Sequence, residues 1–93
     1  MDRSARAHAI ENALREKLDA QHIEVIDHSA LHASHLGAQG GGGHFQLVVV
    51  SEQFRGLSRL AAQKVVYEAL AELMETEIHA LSMRTVTPEK WSG

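Results

Sequence analysis

His44-Phe45-Gln46-Leu47-Val48-Val49-Val50 is the stretch on which the fold of this 93-residue chain turns. It opens with alternation and closes as a continuous, mostly β-branched apolar run, the pattern of a central strand covered on at least one face. Downstream, Phe54-Arg55-Gly56-Leu57-Ser58 reads as a turn. Gly56 allows the turn, and the Ser58 hydroxyl can accept from an orphan backbone N–H of the helix that follows. That helix is predicted from about Arg59 to Glu75, with Ala62, Val66, Ala69, Leu70 and Leu73 on one face and Tyr67 and Met74 at its flank. Residues 78–87 alternate again and give a third strand. Pro88 then fits the first position of a short terminal helix carrying Trp91, with Thr87 as its cap.

Upstream, the segment from about Ser4 to Gln21 is an amphipathic helix by pattern. Ile10, Leu14 and Leu18 recur every fourth residue, Ala7 and Ala13 lie on or beside the stripe, and Ser4 is the predicted N-cap. Ile23-Glu24-Val25-Ile26-Asp27 alternates and reads as the first strand. From Ser29 to Gly43 the periodicity fails, and the glycines at 40–43 cannot be ordered cheaply. A long mobile loop over residues 30–43 is expected, of the kind that is usually functional or disordered. The order helix–strand–strand–helix–strand–short helix makes residues 1–93 one domain, an α/β (α+β) sandwich. A strand–helix–strand crossover places the last strand parallel to a neighbour, with right-handed sense.

Composition narrows the function classes. The chain has seven histidines and no cysteine. It therefore has no disulfide framework, no Cys-type zinc site and no means of holding an iron–sulfur cluster by thiolates of its own. Nine basic against twelve acidic residues leave a net charge of −3 with histidine neutral. Binding driven by phosphates usually shows a basic excess, and here Arg55, Arg59 and Lys64 are the nearest thing to a patch. The longest apolar run is far too short to span a membrane, and the polar N-terminus lacks a signal core, so a cytoplasmic protein is expected. The glycine run lacks the Lys-Ser/Thr of a phosphate-binding loop. No Gly-X-X-Gly turn joins two helices, and no nucleophile sits in a His/Asp arrangement. The chain is not read as an enzyme.

With Ile23-Glu24-Val25-Ile26-Asp27, Ser29, His32, His44-Phe45, Val49-Val50-Ser51, Phe54-Arg55-Gly56-Leu57-Ser58, Val66-Tyr67, Ile78-His79-Ala80-Leu81-Ser82 and Thr87-Pro88-Glu89-Lys90-Trp91 in this order, the chain resembles the BolA family from about Ala9 to Trp91. The resemblance implies a fold like the class II K-homology domain, a three-stranded mixed sheet with two main helices on one face. It also implies partnership with a monothiol glutaredoxin around a [2Fe–2S] cluster, the glutaredoxin cysteine and a glutathione supplying sulfur and this chain nitrogen. No cofactor is expected on the isolated chain, which is expected to be a monomer. The family's C-terminal histidine carries over to His79 and its loop ligand to His32. Two positions depart from the family pattern. The basic Arg-His-Arg that many members carry at the start of the second long helix reads Ala62-Gln63-Lys64, and the loop region gains His28 and His35.

The histidines thus have different prospects. His79 lies among apolar residues and by residue type alone would be a hydrogen-bonded structural group; the resemblance makes it a metal ligand. The resemblance implies His32, in a glycine-rich loop, as the second ligand, with His35 its substitute. His28, His32 and His35 could instead form a local divalent-metal site. His44 is read as a loop-capping side chain, and His8 and His22 as solvated. The expected function is that of a non-enzymatic adaptor completing the ligation of a shared cluster for trafficking or for iron and redox sensing. The alternatives are a DNA-binding regulator contacting phosphates through Arg55, Arg59 and Lys64, and a metal-free interaction domain.

Overall fold

The computed structural model describes residues 3–28 and 43–91. Helix α1 (Arg3–Leu18) leads into strand β1 (His22–Asp27), and β2 (Gly43–Val50) runs back beside it. A single 3₁₀ turn (Glu52–Phe54) precedes helices α2 (Arg59–Ala69) and α3 (Ala71–Thr76), then strand β3 (Ile78–Val86) and a 3₁₀ turn (Pro88–Lys90). The sheet order is β1-β2-β3. β1 pairs antiparallel with β2, and β2 pairs parallel with β3, as the crossover argument requires. The fold is of the α+β class, with a mixed three-stranded sheet.

Alternation decides which face is buried. Ile23, Phe45, Leu47, Val49 and Ile78 point from the sheet into a core completed by Ile10, Leu14 and Leu18 of α1 and by Ala62, Val66, Ala69 and Leu70. Burying one such Leu, Ile or Phe side chain contributes about 1.5–3 kcal/mol, so the helices are held to this one face by packing. The intervening sheet residues, among them Glu24, Ile26, Gln46 and Ser82, form an exposed second face.

Several predicted details hold and several do not. Ser58 caps α2 by accepting from the Ala61 N–H at 3.1 Å, and Gly56 has φ +78°. Ser4, however, lies within α1 and not at its N-cap position. The second long helix does not run unbroken to Glu75. It breaks at Leu70, which leaves helical geometry (φ −102°, ψ 13°) with its side chain fully buried. No residue there is a chemical helix breaker, so the periodicity reads straight through. Thr87 occupies the cap position of the last 3₁₀ turn but makes no side-chain cap bond, and its hydroxyl is buried without a hydrogen-bond partner.

Helix ends are tied down by distant side chains. Ser51, fully buried, donates to the Leu18 carbonyl at 2.6 Å and accepts from the Gln53 N–H at 3.1 Å. Asp19, just past α1, takes the left-handed conformation (φ +50°) common at helix C-termini. Lys17 donates to the Ala69 carbonyl at 3.2 Å, and Arg6 pairs with Glu77 at 3.0 Å, joining the start of α1 to the end of α3. The predicted loop 30–43 lies outside the described residues except for Gly43, which is the first residue of β2. No helix among the described residues is long and apolar enough to cross a membrane.

Candidate cofactor-ligating site

The sheet delivers histidines from all three strands to one end. His28 follows β1, His44 is the second residue of β2, and His79 is the second residue of β3. The Gly43 N–H donates to the Glu77 carbonyl at 2.9 Å, and the His28 N–H to the His44 carbonyl at 2.8 Å. These bonds lock the strand ends in register.

His79 owes its position to a bulge. Gly43 pairs with Ile78 and the next residue, His44, pairs with Ala80, so β3 carries one extra residue there. A bulge re-aims the side chain it bears. The His79 imidazole is exposed, and its ring centroid lies 5.2 Å from that of His44, tilted by 35°. His44 was read from sequence as a loop cap; its ring is the immediate neighbour of His79. The signal that could have revealed this is the register, since two strands starting together in parallel bring their second residues to one height. The His28 Nε2 lies 3.0 Å from the Gln46 Oε1, two residues along β2 from His44 on the same face. His32 and His35, the loop candidates, lie outside the described residues.

Chemically, the end of the sheet offers imidazole nitrogen and nothing softer. Among the described residues no group of three or more histidines and carboxylates converges on a metal position. Two imidazoles do not fill the four-coordinate shell of a structural tetrahedral ion. Any metal held here takes further ligands from elsewhere.

The predicted phosphate contacts are placed differently. The guanidinium of Arg55 is engaged: its Nε and Nη2 donate to both carboxylate oxygens of Glu52 at 2.9 and 2.8 Å, and its Nη1 donates to Glu89. The hydrogen bonds Arg55 donates to Glu52, reinforced by Glu89, raise the Arg55 pKa beyond its ordinary value, and the same contact holds Glu52 below the usual carboxylate range. Arg59 and Lys64 are exposed on α2 without an ion pair among the described residues. His22 was read as a solvated side chain. It is stacked on Trp91, with centroids 4.8 Å apart and planes 26° apart, and its Nε2 is 2.9 Å from Glu24.

Comparison with known proteins agrees with this geometry. Residues 14–90 match the BolA family, described as BolA-like protein. The DNA-binding transcriptional regulator BolA of Escherichia coli is 36% identical over 84 residues, covering 90% of this chain and 77% of that protein. BolA-like protein 1 of Mus musculus is 37% identical over 89 residues; the match spans 95% of this chain and 65% of the mouse protein's length. The solved BolA domain of SufE1 from Arabidopsis thaliana superposes with a TM-score of 0.79 at 33% identity, covering 94% of this chain and 96% of that one. With the mixed sheet, the one-sided helix layer and the histidine-bearing sheet end in place, the chain belongs to the BolA-like family.

Proposed function

We propose that this chain is a non-enzymatic partner that completes the ligation of a [2Fe–2S] cluster held jointly with a monothiol glutaredoxin and glutathione. The observation that carries the proposal is the exposed imidazole of His79, fixed by a bulge between two paired residues at the edge of a chain with no thiolate. An imidazole ligand needs one ring nitrogen open to the metal and a backbone that holds the ring in place, and His79 has the second by construction. His32, with His35 as its substitute, is the proposed second ligand, carried by the segment that enters β2 at Gly43. The donor set fits: this chain offers nitrogen only, so sulfur comes from the partner.

A shared cluster would supply one-electron chemistry, and imidazole in place of thiolate raises its potential. What this chain contributes is position, a protonatable ligand and exclusion of a second thiolate-bearing subunit. Mixing the chain with a monothiol glutaredoxin, iron, sulfide and glutathione should give a mixed complex whose visible absorption and circular dichroism differ from those of the glutaredoxin alone. The His79→Ala variant should lose that signature. Unchanged spectra and unchanged complex stability in the variant would overturn the proposal.

A second reading, DNA binding, rests on the name of the E. coli relative. Arg59 and Lys64 would supply its phosphate contacts, while Arg55 is already engaged by Glu52 and Glu89. Binding of that kind weakens steeply with salt. Absence of binding at physiological ionic strength would remove it.

A further inference from the structure

β3 is an edge of the sheet, and among the described residues no strand lies on its outer side. Among the described residues, the only backbone hydrogen bond of its nine residues outside the ladder is at its last residue, where the Val86 carbonyl accepts from the Ser51 N–H on the side of β2. A long open edge is a template for pairing, and proteins ordinarily blunt it. Here the bulge at His79 and Pro88 beyond Val86 interrupt its two ends, and the middle stays open.

Beside that open stretch runs a groove of about 710 Å³ between β3, the 54–58 turn and the start of α2. Phe54, Ala62 and Met83 give it an apolar lining, and the half-exposed Leu57 stands at its rim. Three cations line it without a salt-bridge partner among the described residues: Arg59, Arg84 and Lys90. Arg55 also lines the groove but is neutralised by Glu52 and Glu89. Thr87, in the same wall, holds a hydroxyl with no hydrogen-bond partner. The whole chain is acidic, at −3, so this concentration of unpaired positive charge is local and set against the sign of the molecule.

We propose that the edge of β3 accepts an extended acidic segment of a partner protein as a fourth strand, with carboxylates meeting Arg84 on the open face of the sheet and Arg59 and Lys90 at the rim of the groove, and an alternate apolar side chain resting on Phe54 and Met83. Strand addition draws affinity from main-chain hydrogen bonds and specificity from pockets for alternate side chains, and both are present here. Charge complementarity chooses the partner's sign and sets its on-rate. A second copy of this chain is disfavoured because pairing two β3 edges would bring their cations together. Nucleic acid is disfavoured because phosphates make no use of an apolar floor. The inference is independent of cluster binding, since the groove lies toward the end of β3 away from His79.

The test uses the full chain and a labelled nine-residue peptide of alternating Glu and Val, the length of β3. Fluorescence anisotropy should show salt-sensitive binding, weakened about tenfold or more by Arg84→Glu combined with Arg59→Glu. Both residues are exposed, so the variant should keep the wild-type circular dichroism spectrum. Amide shifts on peptide addition should concentrate in residues 80–86. Proline at alternate positions of the peptide should abolish binding, because it removes ladder donors. The proposal is overturned if the peptide does not bind, if the charge-reversed variant binds it equally, if the proline peptide binds as well as the parent, or if duplex DNA competes for the groove more strongly than the peptide.

Discussion

Replacing Ser51 by alanine should destabilise the fold far more than the loss of one hydroxyl suggests. The side chain is fully buried and serves two elements, donating to the last carbonyl of α1 and accepting from Gln53 in the 3₁₀ turn. Each bond contributes about 0.5–1.5 kcal/mol net, and stranding the buried Leu18 carbonyl adds about 1–3 kcal/mol. Relaxation of the neighbourhood recovers part of this, and a loss of about 2–3 kcal/mol is expected. For a domain of this size that corresponds to a fall in Tm of about 10–20 °C. Urea unfolding followed by far-ultraviolet circular dichroism and by Trp91 emission measures it, with the slope unchanged between variant and wild type. Ser58→Ala, at an exposed cap bonded only to Ala61, is the comparison, and should cost about 1 kcal/mol. If Ser51→Ala cost less than about 0.5 kcal/mol at constant slope, the claim that this hydroxyl ties α1 to the end of β2 would be wrong.

Gly56→Ala should cost about 1–2 kcal/mol by backbone strain alone, because φ is +78° and a Cβ there would meet nothing within 4 Å; if the urea midpoint of Gly56→Asn were no higher than that of Gly56→Ala, strain would not be the cause. The Arg6 guanidinium holds the Glu77 carboxyl below the usual carboxylate range, so the stabilisation it gives is present above the unfolded carboxylate's titration and is lost as pH falls through the lowered folded value. Stability of the wild type should therefore fall more steeply below about pH 5 than that of Glu77→Gln, and parallel curves would refute the coupling.

The sequence carried those parts of the fold that depend on local pattern. The apolar run ending at Val50, the Gly56 turn, the Ser58 cap and the core stripe through Ile10, Leu14 and Leu18 each follow from period and turn chemistry. What was illegible arises between distant segments. The break at Leu70 reflects tertiary packing of a residue whose local propensity is helical. Stacking of His22 on Trp91 and the bond from Ser51 to Leu18 need segments far apart in sequence to meet. At the candidate site, His79 was found through a resemblance, while His44 was passed over because its residue type at a strand start favours the ordinary reading. Only the β2–β3 register puts it beside His79.

The extra residue in β3 has a consequence for how readily this sheet end can change its chemistry. The backbone around His79 is fixed by main-chain bonds on either side, at Gly43 and between His44 and Ala80, and the ring itself fills no space in the core. A thiol, a carboxylate or an amide at that point would inherit the same outlook at almost no thermodynamic penalty. Such a socket separates what the protein offers to a metal from what keeps it folded, so the offered atom can vary while the scaffold stays as it is.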